Sequence, residues 1–380
     1  MLSQLRNGLD MVYVEQNTLE RVRGEHVWHG PAMLARRDEW THALPDEAIA
    51  ELDAVISRVA SEGISLLDIS RNTFEMPVLR DWLVPIRQQL QRGIAFALIR
   101  GLPVHRYDRL AAAAAYFTIG AFLGDAVSQN AKGHALGHVR DIGVDPRTPT
   151  GRGYQSAFKL NFHTDPTDVV GLLCLNKAKS GGESAIVSAA AVYNTMLDKR
   201  PDLVHVLTQI LYRDRRGEIP EGREPWYRLP VFNFRDGHLL TNYVRSTIDK
   251  AQRFPEVPRL TETQLAAFAL IEETTTDPDL YLQMSFEPGD IQLLNNHFIM
   301  HSRTAFEDYA EPDRKRHLLR LWLACDDGPP LPKQYFEFMD ATPAGRPNGY
   351  HMKGVPLSTP LMAEDGGPGS SAQRTLNTST

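Results

Sequence analysis

The stretch Asn161-Phe162-His163-Thr164-Asp165 holds the first residues whose types and spacing could do chemistry. On a strand, positions two apart project from one face, so the His163 imidazole and the Asp165 carboxylate would reach the same metal ion. Such a pair supplies two of the three protein ligands in the 2-His-1-carboxylate arrangement, which holds Fe(II) and keeps other coordination positions open. The third ligand must be a distant histidine. His297 and His301, in Asn295-Asn296-His297-Phe298-Ile299-Met300-His301-Ser302-Arg303, are both candidates, and strand alternation cannot separate two residues four apart.

A second run, Arg316-His317-Leu318-Leu319-Arg320-Leu321-Trp322, reads as a strand. Alternation puts Arg316, Leu318, Arg320 and Trp322 on one face, with His317 on the other as a solvent or packing residue. Two guanidinium groups pointing into an apolar barrel are expensive unless anions meet them. Arginine grips a carboxylate through two parallel hydrogen bonds, so a dicarboxylate ligand resolves the conflict.

With Gly181-Gly182-Glu183-Ser184 added, these runs resemble the Fe(II)/2-oxoglutarate dioxygenases of the taurine dioxygenase and phenoxyacetate dioxygenase family, over roughly residues 94 to 325. That family has an early His-x-Asp, a Gly-Gly-acid-hydroxyl turn, a late His, and an Arg pair after it. The resemblance selects His301 as the late histidine and leaves His297 as a structural neighbour. It implies that His163, Asp165 and His301 ligate Fe(II), and that Ser184 and Arg316 hold the distal carboxylate of 2-oxoglutarate. Arg320 would lie nearer the iron, on the inner carboxylate of the co-substrate or on an acidic group of the substrate. Two departures stand out: the hydroxyl is Ser rather than Thr, and the spacing from His301 to Arg316 is long.

The implied reaction consumes 2-oxoglutarate and O2, releases succinate and CO2, and hydroxylates a C–H bond of a small acidic substrate. Asp165 argues against halogenation, because halogenating relatives replace that carboxylate with a small residue. Tyr154, Ser156 and Asn161 are expected to line the substrate pocket. Two alternatives are a zinc hydrolase using the same three ligands and a jelly-roll binding protein without catalysis. The first leaves Ser184 and the Arg pair without a task, and the second leaves the complete set unexplained.

The elements that must position these residues follow from periodicity. Helices are expected over residues 45–62, 81–92, 111–123, 189–198, from 201, and over 261–274. Strands are expected over 93–103, 169–175, 184–187, 281–286, 290–294, 297–302 and 316–325, with a two-residue hairpin turn at Asp236-Gly237 and another turn at Pro288-Gly289. Residues 1–45 read as an extended lead-in. The stretch 124–157 reads as a long irregular connection, in which His134 and His138 are exposed or supporting rather than catalytic. Many short strands decorated by helices favour a mainly β fold, a double-sheet jelly-roll core flanked by helices. The resemblance implies the same core, a double-stranded β-helix. Residues 1–362 are expected to form one catalytic domain, with 363–380 a tail too polar to order itself.

Composition narrows the class. A chain of 380 residues, 42% hydrophobic, can bury a substantial core, and its formal charge of −6 comes without a basic run to track nucleic acid. Cys174 and Cys325 lie in apolar runs and read as buried thiols of a reducing compartment. No secretion signal and no apolar window long enough for a membrane span are found, so a cytoplasmic protein acting on a small molecule is expected. A homo-oligomer stays open.

Overall fold

The apolar runs pair into two facing sheets in this computed structural model, which describes residues 19–363. The larger sheet runs in the order Thr41–Ala43, Phe96–Arg100, Ile291–Asn295, Val169–Asn176, His317–Ala324 and Asp125–Ala126, with Gly137–Val139 also on the 317–324 strand. Only the first pair is parallel. The smaller, antiparallel sheet runs Leu282–Met284, Ser184–Ser188, Ile299–Arg303 and Leu160–His163. The two sheets make the cupin-like jelly roll expected from the sequence.

Alternation sorts the side chains into three cores. Outside the larger sheet, Ile99, Leu173, Leu319 and Leu321 pack against the helices Asp46–Glu62, Pro77–Arg92 and Arg109–Leu123. Outside the smaller one, Phe162, Val187 and Met300 pack against the helices Ala189–Lys199, Pro201–Leu207 and Glu262–Thr275. Between the sheets lie Phe96, Val170, Ile186, Ile299, Leu318 and Trp322. A strand in this position is apolar on both faces, which is why the site strands look like continuous hydrophobic runs.

Helix ends follow local chemistry. Thr261 caps the 262–275 helix in a capping box with Gln264, Asp108 caps the 109–123 helix, and Pro77 opens the 77–92 helix four residues earlier than the periodicity indicates. Asp236 and Gly237 take φ of 48° and 81°, as the two-residue hairpin between Phe232–Arg235 and His238–Thr241 requires.

Several expectations need correction. The lead-in is not simply extended: within its described part, Gly30–Ala35 and Arg37–Trp40 are short helices and Thr41–Ala43 is an edge strand. Residues 1–18 and 364–380, including nearly all of the expected tail, lie outside the described residues. The 124–157 connection contributes two short strands to the larger sheet. Pro288-Gly289 turns the chain from the smaller sheet into the larger, not between paired neighbours. Cys174 and Cys325 are free and buried, as expected.

Candidate active site

The 160–163 and 299–303 strands are hydrogen-bonded neighbours with His163 directly opposite His301. Their rings stand 4.3 Å apart, centroid to centroid. Ligand atoms of His163, Asp165 and His301 all lie within 4.8 Å of one another, the one such cluster of three among the described residues. Bonds of roughly 2 Å span at most about 4 Å across one ion, so the most widely spaced pair has to draw in by under about 1 Å to share it.

Each member is held from behind. The His163 Nδ1 sits 2.8 Å from the Asn161 carbonyl, so that nitrogen donates and Nε2 is free to ligate. The Asp165 backbone N–H donates to Asn296 Oδ1 at 3.0 Å, and its Oδ2 accepts from Trp322 Nε1 at 2.9 Å and Arg320 Nη1 at 3.2 Å. His301 Nδ1 is buried with no hydrogen-bond partner, a costly arrangement for an imidazole unless a metal or ligand meets it.

The electrostatics prepare these residues for a cation. Burial, helped by His163 and Arg320, pushes His301 down to about 3. Burial likewise lowers His163, with Arg320 and Arg216 adding to it. Burial alone would raise Asp165, but Arg320, His301, His163 and the Trp322 indole outweigh it and hold the carboxyl at about 2. Neutral imidazoles beside an ionised carboxylate are the protonation states that metal binding needs.

Arg316 lies on the same strand face as Arg320, as alternation predicts, and both line one cavity of about 330 Å³ with the cluster. Its Nη1 is buried without a partner, and Nη2 reaches only the Gly182 carbonyl at 3.4 Å. Burial pushes this guanidinium down to about 10, which Cys174, Asp308 and Glu183 offset only in part. Gly182 leaves the space: at φ 80°, a Cβ there would stand 2.9 Å from Arg316 Nε. Ser184 is buried on the same cavity wall, its hydroxyl 3.3 Å from Gln292 Oε1.

The other predicted residues divide. Tyr154 and Asn161 line the cavity. Ser156 does not: its hydroxyl donates back to the Gly153 carbonyl at 2.9 Å, so it closes a turn instead of facing a substrate. Arg320 is partnered by Asp165 and by Gln129 Oε1 at 2.7 Å. His297 is a structural neighbour, its Nε2 2.7 Å from Asp168 Oδ1. His317 packs against His138 at 2.8 Å. His134 and His138 are half-buried and absent from the cavity wall, His138 also contacting the Pro360 carbonyl at 2.8 Å.

Sequence reasoning passed over Arg303, Gln129, Arg152, Arg216 and Tyr350. Arg303 sits two positions after His301 and opposite Ser184, so strand alternation could have found it. Its Nη1 is buried and unpartnered beside the cavity. The others come from loops and from the C-terminal segment, where no periodicity points.

A jelly roll that gathers two histidines and a carboxylate at one cavity, with an arginine on the same wall whose Nη1 is buried and unpartnered, is the architecture of a non-haem Fe(II)/2-oxoglutarate-dependent dioxygenase. The chain belongs to the taurine catabolism dioxygenase TauD, TfdA family, which residues 65–322 match. The family's Fe(II), 2-oxoglutarate and O2 are therefore its cofactor and co-substrates. It is 32% identical over 317 residues to FR-33289 synthase of Streptomyces rubellomurinus, covering 82% of this chain and 92% of that one. It is 29% identical over 314 residues to the taurine hydroxylase-like protein SAT17 of Stachybotrys chartarum, covering 79% of each. In fold it is similar to an asparagine oxygenase solved with Fe(II), 3-hydroxyasparagine and succinate, at TM-score 0.57 and 16% identity, over 75% of this chain and 93% of that one. Among the described residues, no helix is long and apolar enough to cross a membrane.

Proposed function

We propose that His163, Asp165 and His301 hold the iron, that Arg316 with Ser184 grips the distal carboxylate of 2-oxoglutarate, and that the enzyme hydroxylates a small acidic substrate. The observation that carries this reading is the pairing of two features in one cavity: three ligand atoms within 4.8 Å of one another, and an arginine Nη1 buried without a partner. Fe(II) at that position supplies, with 2-oxoglutarate and O2, oxidation of a substrate C–H bond, releasing succinate and CO2. The protein's own residues do the rest. Arg320 and Trp322 fix Asp165 Oδ2 and leave Oδ1 for the metal, Asn161 fixes the His163 tautomer, and Arg316 supplies a planar pair of donors to a carboxylate. Leu172, Leu318 and Phe286 on the cavity wall keep water away from the reacting centre.

The same reading treats the chain to residue 362 as one catalytic unit. The C-terminal segment supports this by giving Tyr350 to the cavity wall and Arg346 to the buried Asp168. A charge of −6 without a basic run, and two unpaired thiols, support work in the cytoplasm on a small molecule and not on nucleic acid.

The test is succinate formation from 2-oxoglutarate, Fe(II) and O2 in the presence of small acidic candidates. Substrate-stimulated succinate that disappears in His301→Ala supports the assignment, whereas undiminished turnover by that variant contradicts it.

A further inference from the structure

The reading above uses Arg316 and Arg320; of the other arginines on the cavity wall, Arg303 donates to the Ser156 and Phe158 carbonyls and Arg245 pairs with Asp249 and Glu272, which leaves Arg152 and Arg216 to explain. Arg152, at the end of the 124–157 connection, and Arg216, in the turn between the strands Tyr212–Asp214 and Trp226–Arg228, both line the cavity. Arg152 is 9% exposed, and Arg216 Nε is buried with no hydrogen-bond partner. Arg216 also holds φ 54°, left-handed backbone that a non-glycine residue rarely adopts. Its N–H donates to Asp214 Oδ1 at 2.7 Å, which fixes the turn in that shape. Strain of this kind persists where the surrounding structure forces a side chain into a particular place.

The nearby carboxylates are already taken. Glu218 contacts Arg152 and accepts the Ala131 N–H at 2.9 Å. Asp214 pairs with Arg253 Nε at 2.8 Å. At the rim, Arg245 and Asp249 pair with each other at 2.8 Å. Behind the wall, the Lys250 ammonium donates to the Pro146 and Gly151 carbonyls at 3.0 Å and meets no carboxylate there. Arg152, Arg216, Lys250 and Arg253 thus share Glu218 and Asp214, while Asp145 near Lys250 is taken by Arg147 and Asp165 near Arg152 by Arg320, so positive charge prevails here. Burial, and after it the charge of Arg216, pull Lys250 down to about 8.

We propose that Arg152 and Arg216 form a second anion subsite, separate from Arg316, which grips a doubly charged oxyanion head of the primary substrate: a phosphate monoester or a phosphonate. This rests on the reading that Arg316 takes 2-oxoglutarate. Two guanidinium forks match a tetrahedral group with three exposed oxygens, and a dianion offsets more of the local positive charge than a single carboxylate does. The head is held in the wall, and the carbon frame of the substrate occupies the cavity shared with His163, Asp165 and His301. Tyr350, over whose ring the Arg152 guanidinium lies at 4.9 Å, fixes the orientation of that fork.

The test uses the Fe(II)- and 2-oxoglutarate-loaded enzyme under anaerobic conditions, titrated calorimetrically at pH 7.5 with methyl phosphate. At that pH the probe is largely a dianion, since phosphate monoesters lose their second proton near about pH 6. Methyl sulfate and acetate serve as singly charged comparisons. Methyl phosphate should bind more tightly than either without displacing 2-oxoglutarate. Arg216→Gln should weaken it about tenfold or more, the size expected for losing a charge-assisted hydrogen bond, and Arg216→Lys should restore part of the loss. Arg152→Gln strands Glu218, so Arg216→Gln carries the decision, with a thermal melt to show that the variant is folded.

Absence of methyl phosphate binding, equal binding of the comparisons, an unchanged affinity in Arg216→Gln, or competition with 2-oxoglutarate overturns the subsite. The visible absorption change on adding 2-oxoglutarate reports separately on Arg316 and the iron. Its presence with no methyl phosphate binding overturns the subsite alone, and its absence overturns the co-substrate assignment instead.

Discussion

Asp165 carries two loads at one carboxylate: it faces the two imidazoles, and its Oδ2 accepts from both Arg320 and Trp322. The residue types were legible from spacing alone, because the two-residue period of a strand is rigid enough to put His163 with Asp165 and Arg316 with Arg320 and Trp322. What those side chains touch was not legible. Arg320 looked free to meet an anion, yet Gln129, 191 positions away in the chain, and Asp165 already occupy it. Ser156 looked like a pocket residue and closes a turn instead. Arg320→Met should therefore weaken Fe(II) binding by about 10- to 100-fold, the usual effect of losing a group that orients a metal ligand. An Fe(II) titration checks this. Unchanged iron affinity with a raised KM for the substrate would show that Arg320 acts on the substrate directly.

Among the elements, the helices of 46–62, 109–123 and 262–275 and the long strands follow their periodicity to within a few residues, because each buries one defined face. Sheet membership does not follow from periodicity. The strands 282–284 and 291–295 look like a hairpin but belong to opposite sheets, a choice made by long-range pairing. The C-terminal segment was the least legible part, since the apolar residues it buries, Tyr335, Phe338, Met339 and Tyr350, follow no regular period and polar contacts fasten it as well. At its centre, Arg346 meets the fully buried Asp168, which also accepts from His297 at 2.7 Å and from the Cys325 N–H at 2.8 Å. Breaking a buried pair from one side leaves an uncompensated charge, so Arg346→Met should cost about 3–5 kcal/mol of stability. Urea denaturation measures it, and a loss under about 1 kcal/mol would mean that the surface burial of the segment, not this pair, secures it.

At the scale of the whole molecule, acid should loosen the fold through histidines that do not line the cavity. His138 and His317 share one hydrogen bond, so at least one of the two facing nitrogens has to stay unprotonated, and His138 also contacts the Pro360 carbonyl of the C-terminal segment. Burial, with Arg109 and Arg140 nearby, pushes His138 down to about 4 and His317 to about 2. Their folded values lie below the ordinary value near 6.5, so the unfolded chain takes up protons first. Stability is then full above that value and is lost as the pH falls toward the folded ones. Between pH 7 and 5 the loss should approach about 2 kcal/mol for each histidine. Denaturation midpoints at the two pH values check it, and the double variant His138→Gln/His317→Leu should flatten the dependence. An equally steep slope in that variant would assign the acid sensitivity to other groups.

The central claim is that one iron site and one buried arginine act together on 2-oxoglutarate, and anaerobic visible absorption of the Fe(II)-loaded protein on adding 2-oxoglutarate tests it most directly. A saturable change is expected in the wild type and none in His301→Ala. In Arg316→Met the half-saturation should move up by about 10- to 150-fold, the range that corresponds to about 1.5–3 kcal/mol for a charged hydrogen bond. A full absorption change in His301→Ala, or an Arg316→Met titration that overlays the wild type, would contradict the account.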